Sequence, residues 1–121
     1  MTMISKLWER FRNKKYRHAF AADQLKRTIP FQIRTLRRQR GWSQEELAKA
    51  SGLTQGVISR AEDLNYGNLT FNTVLSIAAG FDLAFIGKFV PFSQLAREHN
   101  SLSEDSIKEM PTFEEEDKVA Y

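Results

Sequence analysis

Between Ser43 and Asp63 the chain reads SQEELAKASGLTQGVISRAED, and here polar side chains recur at spacings that could do chemistry. Gln55, Gly56, Ser59 and Arg60 share the outward face of a short helical pattern. Their chemistry is hydrogen bonding: an amide with donor and acceptor side by side, a hydroxyl, and a forked guanidinium. Bond-making chemistry has no comparable set. The chain has no cysteine, so disulfides and thiolate metal sites are excluded. Its histidines, His18 and His99, lie far apart and lack helical partners, so no metal centre is expected. No serine nucleophile has a histidine nearby, no glycine-rich phosphate loop occurs, and Glu45 and Glu46 are adjacent and point apart on a helix. Neither catalytic residues nor a cofactor are expected.

The elements that must hold that polar face follow from local signals. Ser43 and Glu46 have the S-x-x-E spacing of a capping box, which starts a helix. Gly52 ends it at a turn that needs positive φ. Thr54 caps the next helix, which runs to about Asp63 with Ile58 and Ala61 inward. Ala48 is small where two helices must touch, Gly52 makes the turn, Ile58 anchors the second helix, and Leu47, Leu53 and Ala61 complete a buried side. This is the arrangement of a helix-turn-helix, in which the second helix enters the major groove of DNA. Before it, Pro30 marks the expected start of a helix over 30-PFQIRTLRRQRG-41, because proline's fixed φ suits a first turn. Phe31, Ile33 and Leu36 form its apolar face, and Gly41 stops it. After it comes a loop, 64-LNYGN-68. A helix over 71-FNTVLSIAAGF-81 follows, capped by Thr70, with Val74, Leu75, Ala78 and Phe81 as its inward stripe.

Residues 33–83 resemble the Cro and phage-repressor-like helix-turn-helix family, often called the XRE family. The resemblance is carried by IRTLRRQRGWSQEELAKASGLTQGVISRAED and by TVLSIAAGFDL. It implies a mainly α fold, a compact lambda-repressor-like bundle of about five helices. It also implies binding to a double-stranded DNA operator as a homodimer, and control of transcription. Thr54, Gln55, Gly56, Ser59 and Arg60 would then be the base-reading positions. Gln55 suits adenine, and Arg60 suits guanine or a phosphate. Gln44, Arg38, Arg40, Asn65, Tyr66, Asn68 and Thr70 would meet phosphates, with Arg34 adding electrostatic contact. Arg37 and Glu62 would form a partly buried ion pair that braces the first helix of the bundle against the third. Gly56 departs from the family, which often places a long polar residue there.

Charge and patterning organise the rest. Residues 1–60 carry a net +10 and residues 61–121 a net −7, which together give the chain's +3. A basic half suits a polyanion. The first segment, 1–29, is expected to be a basic helical extension: Ile4, Leu7, Trp8 and Phe11 form one apolar stripe, and 10-RFRNKKYR-17 follows. Residues 30–82 form the DNA-binding domain. Residues 83-LAFIGKFV-90 read as a β-strand, followed by a short helix over 92–99. A lone strand leaves edge hydrogen bonds unmade, so pairing with its twin across a dimer is expected, with Phe85, Ile86 and Phe89 in the interface. Some family members with such a strand are antitoxins, so a toxin protein is a second possible partner. Residues 100–121 form an acidic, flexible tail that could bind a basic partner or shield the DNA face. No membrane span is expected, residues 1–15 do not read as a secretory signal, and the cysteine-free composition suits a cytoplasmic protein.

Overall fold

A computed structural model describes residues 3–99, 107 and 110–120. Among these the fold is all helical: α1 (Met3–Phe11), α2 (Lys14–Gln39), α3 (Gln44–Ser51), α4 (Gln55–Ala61), α5 (Phe71–Phe81), α6 (Phe92–Glu98) and α7 (Phe113–Ala120). The expected cap residues start their helices. Ser43 Oγ accepts from the Glu46 amide at 3.1 Å while Glu46 Oε1 accepts from the Ser43 amide at 3.0 Å. Thr54 and Thr70 accept from the Val57 and Thr73 amides, both at 3.2 Å. Gly52 ends α3 in the left-handed region, φ 68°, and the next amide, Leu53, closes onto the Ala48 carbonyl.

The main core is built by α2 to α5. Ile33 and Leu36 from α2, Leu47 and Ala48 from α3, Ile58 and Ala61 from α4, and Ile77 and Phe81 from α5 form one buried cluster. Trp42 stacks on Phe81 at 5.9 Å and closes its open side. Helices α3 and α5 approach so closely at Gly80 that a Cβ there would collide with Ser51 Oγ and lie 3.0 Å from its backbone nitrogen. Glycine is favoured at that crossing for lack of space: a side chain there would turn the Ser51 hydroxyl aside and press on its backbone.

Several sequence expectations are corrected. Pro30 does not start a helix. It lies inside α2, which runs unbroken from the N-terminal extension into the helix-turn-helix domain. Proline in a helix interior costs about 3 kcal/mol, through one lost amide donor and a ring clash. Burial offsets this: Pro30 is buried, and Ile29 and Phe31 on either side pack on the main core. The residues expected to hold the bundle therefore contain the end of α2 and α3 to α5, rather than five helices of their own. On α5 the inward row is Val74, Ile77 and Phe81, while Leu75 is exposed. The strand expected over 83–90 does not form within the chain. After the Leu83 amide bonds Ala78 O, residues 84–90 make no backbone–backbone hydrogen bond among the described residues. A strand exists only where a neighbour offers its own backbone, and no described segment does so.

A second, smaller cluster sits at the other end of α2. Leu7 and Phe11 of α1 and Ala96 of α6 are buried together, with Tyr16, Phe20, Phe92 and Leu95 packed around them. Phe11 meets Phe20 and Phe92 edge to face at 5.2 and 5.5 Å. The break between α1 and α2 falls at Arg12–Asn13, where Asn13 caps α2 by accepting from the Tyr16 amide at 2.9 Å. Leu7 and Phe11 of the α1 stripe thus dock within their own chain while Ile4 and Trp8 stay exposed, and α2 serves as a spine with a cluster at each end.

Residues 100–106, 108, 109 and 121 of the acidic segment lie outside the described residues. Of the remainder, Ile107 is buried in the main core, and its carbonyl accepts from Gln39 Nε2 at 2.6 Å. A helix, α7, occupies Phe113–Ala120, which the pattern did not indicate, and the Phe113 amide donates to Asp82 Oδ2 at 3.0 Å.

Candidate nucleic-acid interface

The two helices of the turn begin alike. Ser43 and Thr54 are N-caps, and each is followed by a glutamine at the first helical position, Gln44 and Gln55. The packing of α3 on α4 brings these glutamines together: Gln55 Nε2 donates to Gln44 Oε1 at 2.7 Å. Gln44 Nε2 in turn donates to Glu62 Oε1 at 3.3 Å, and Glu62 receives Arg37 Nε at 2.6 Å and Nη2 at 3.0 Å. Arg37 Nη1 donates to Trp42 O at 2.7 Å. This relay joins the end of α2, the turn before α3, and both ends of α4.

Its directions follow from chemistry. An ionised carboxylate only accepts, so Glu62 obliges Gln44 to present its NH₂. The Gln44 oxygen then faces Gln55 and obliges it to present its own NH₂. One Gln55 N–H is used, which leaves a second N–H and the whole carbonyl oxygen free. That remainder is the donor-and-acceptor pair that matches N7 and N6 of adenine.

The anchor is a partly buried ion pair, with side-chain exposures of 12% for Arg37 and 5% for Glu62. The hydrogen bonds to Glu62 raise the Arg37 pKa above its usual range; burial opposes this, and the carboxylate's charge adds to the rise. Arginine has no acceptor atom, and three donor contacts, two to Glu62 and one to Trp42 O, leave the guanidinium little freedom. The relay therefore rests on a fixed point.

The remaining expected site residues divide by exposure. Thr54, Gln55, Ser59 and Arg60 are exposed, and Gly56 is half-buried beside them. Arg60 Nη1 leans back to within 3.6 Å of where a Gly56 Cβ would stand, so the space left by the glycine lies next to the guanidinium. Asn65, Tyr66, Asn68 and Thr70 are exposed on the following loop, where Gly67 adopts φ 71° and Asp63 Oδ1 accepts from the Asn65 amide. Arg34 and Arg38 are exposed on adjacent turns of α2.

Arg40 is placed differently. Its guanidinium lies over the rings of Trp42 at 5.2 Å and Phe81 at 5.0 Å, with Nη2 buried. The same hollow is lined by Glu115 and Thr112, so the acidic segment meets the domain there. Arg40 would have to leave its aromatic contacts to reach a phosphate. Its packing role was legible from none of its neighbours in sequence except Trp42.

The Gln44–Gln55 contact was also missed by sequence reasoning, although a signal existed: the cap-plus-glutamine pairs SQ and TQ recur at the two helix starts. Phe85, Ile86 and Phe89, expected at an interface, are all exposed in the single chain, Phe89 fully.

Residues 33–85 match a family model described as Helix-turn-helix, from the last two turns of α2 to just beyond α5. No curated protein and no solved structure matches the chain. No described helix is long and apolar enough to cross a membrane. With the capped helices, the left-handed turn at Gly52 and the exposed polar face of α4 on the same segment, residues 33–85 form a helix-turn-helix domain of the XRE type, which supports a DNA-binding role in transcription regulation.

Proposed function

We propose that the protein is a sequence-specific repressor that binds a palindromic operator as a homodimer and reads an adenine through Gln55. The observation that carries this reading is the relay from Glu62 through Gln44, which leaves the free half of the Gln55 amide in the pattern adenine requires. Thr54, Gly56, Ser59 and Arg60 complete the base-reading face. Gln44, Arg34, Arg38, Asn65, Tyr66, Asn68 and Thr70 serve the phosphates, which fix register without reading sequence. Arg40 is left out because its rings hold it.

The dimer reading rests on residues 83–90. Residues 84–90 make no backbone–backbone hydrogen bond among the described residues, and Ile86 is 84% and Phe89 fully exposed. Phe71 and Leu75 of α5 add to the exposed apolar surface. Phe71 and Phe89 alone supply on the order of 400 Å², about half of the roughly 800 Å² that each partner gives to a stable interface. An antiparallel ribbon of two copies would place two recognition helices on half-sites about one helical turn apart.

Selection of bound duplexes from a random pool tests the reading directly. The expected product is an inverted repeat, and Gln55→Ala should relax one position in each half-site at a cost of about 1–3 kcal/mol. Gln44→Ala should relax the same position, because it removes the acceptor that orients the Gln55 amide. A uniform loss of affinity in both variants would show that these glutamines touch only phosphates. The exposed 83–90 segment also favours a second reading, an antitoxin whose strand partner is a toxin protein. Co-purification of the product of a neighbouring open reading frame, in place of a homodimer, would select it.

A further inference from the structure

Residues 6–17 carry Lys6, Arg10, Arg12, Lys14, Lys15 and Arg17 against one acid, Glu9. Glu9 pairs with Arg12 at 3.2 Å, and Arg17 donates to Phe11 O while lying over the Phe92 ring. Lys6, Arg10, Lys14 and Lys15 are exposed and have no ion-pair partner among the described residues. These cations sit on the elbow between α1 and α2, outside the segment that matches the helix-turn-helix family.

The elbow is built to be rigid. It has its own buried cluster, in which Leu7 is 7% and Phe11 3% exposed, and its own cap at Asn13. Burying two such side chains contributes about 1.5–3 kcal/mol each, and Gln24 ties α2 to the end of α6 through His99 O at 3.0 Å. A solvated basic tail needs none of this. The same cluster weakens the case for a lipid surface: a membrane-bound amphipathic helix inserts its apolar stripe, and here Leu7 and Phe11 are already committed to Ala96, Phe20 and Phe92, which leaves only Ile4 and Trp8 of the stripe exposed. What the elbow presents outward is fixed positive charge.

We propose that this elbow is a second DNA-binding surface, which holds the sugar-phosphate backbone about one helical turn from the phosphate met by Arg38. The spacing comes from the spine. Lys14 and Arg38 lie 24 residues apart on the unbroken α2, which is about 36 Å at 1.5 Å per residue, close to the roughly 34 Å turn of B-DNA. The proposal rests on the regulator reading for its register, but the backbone contact itself needs no particular sequence.

The test uses the full chain and a variant with Lys6, Arg10, Lys14 and Lys15 each changed to Gln, whose melting temperature and circular dichroism should match wild type. Three duplexes are compared: a short one confined to the selected site, one extended by two helical turns on each side, and an extended one of random sequence. Four phosphate contacts steepen the dependence of log K on log salt by about 3.6. Between 50 and 200 mM salt, wild type on the extended site should therefore lose on the order of 100-fold more affinity than the variant. Binding to the short duplex and the base preference should be the same in both. Equal slopes for the two proteins on the extended site would overturn the proposal, as would equal losses on the short and extended duplexes. So would wild-type binding to phosphatidylserine vesicles with no difference between duplex lengths. A wild type without base preference, whose binding to the random duplex still falls with the elbow substitutions, would sink the regulator reading and keep the elbow.

Discussion

The Arg37–Glu62 pair is the fixed point of the recognition relay, and a double-mutant cycle on it measures how firmly the relay is held. Glu62→Leu strands a guanidinium whose side chain is 12% exposed, at a cost of about 3–5 kcal/mol, a large share of the roughly 5–15 kcal/mol available to a domain. Arg37→Met strands a carboxylate that is 5% exposed and keeps one donor, Gln44 Nε2 at 3.3 Å, so its cost should be similar. The double variant Arg37→Met/Glu62→Leu leaves no stranded charge. It loses the paired hydrogen bonds and the acceptor for Gln44, about 1–3 kcal/mol in all. The singles should therefore sum to about 6–10 kcal/mol, and the double should fall short of that sum by at least about 3 kcal/mol. Urea unfolding of the four proteins at equal m-value gives the number. Additivity within about 0.5 kcal/mol would refute the reasoning, since it would mean that neither charge depends on the other. In Glu62→Leu and in the double variant Gln44 loses its director, so discrimination at the position read by Gln55 should fall even when affinity for phosphate does not, while Arg37→Met, which keeps that acceptor, should hold more of it.

Other expectations follow from single positions. Gly80→Ala should destabilise by about 1–2 kcal/mol, an overpacking loss partly offset by helix propensity, because its Cβ would stand 3.0–3.1 Å from Ser51 backbone atoms; an unchanged urea midpoint would show that α3 and α5 can part. Gly56→Ala should stabilise α4 by up to about 1 kcal/mol, since its Cβ meets Arg60 Nη1 only at 3.6 Å. The same variant should bind the operator more weakly, and equal binding in a titration would place the α4 backbone away from the DNA. Ile86→Asp or Phe89→Asp should sediment as a monomer, with a dimer-sized boundary counting against residues 83–90 as the interface. The arginine of the pair should contribute no pH dependence near neutrality. Its folded pKa is raised, so its stabilisation is fully present below the ordinary arginine range and lost only as pH climbs past the folded value. Urea midpoints of wild type and Arg37→Met should keep a constant gap between about pH 7 and pH 9, and a gap that shrinks over that interval would contradict it.

What the sequence determined alone is what depends on near neighbours along the chain. The caps at Ser43, Thr54 and Thr70, the left-handed Gly52, and the inward positions Leu47, Ala48, Ile58 and Ala61 follow from spacings of a few residues, over which hydrogen-bond and steric rules are local. The resemblance to a known family added the pairing of Arg37 with Glu62, which no local rule supplies. Tertiary structure decided whatever turns on which surfaces meet. Pro30 reads as a helix start until burial outweighs its local cost, and then α2 runs through it. Leu75 and Val74 look equally apolar, and only the position of the core shows that one is buried and the other exposed. Residues 83–90 have the composition of a strand, but composition provides no partner, and among the described residues the ladder is absent. The exposed face of α4 was visible as a row of polar residues. That Gln55 faces outward with half an amide free depends on Gln44 and Glu62, 11 and 7 residues away along the chain and brought beside it by the packing of α3 on α4.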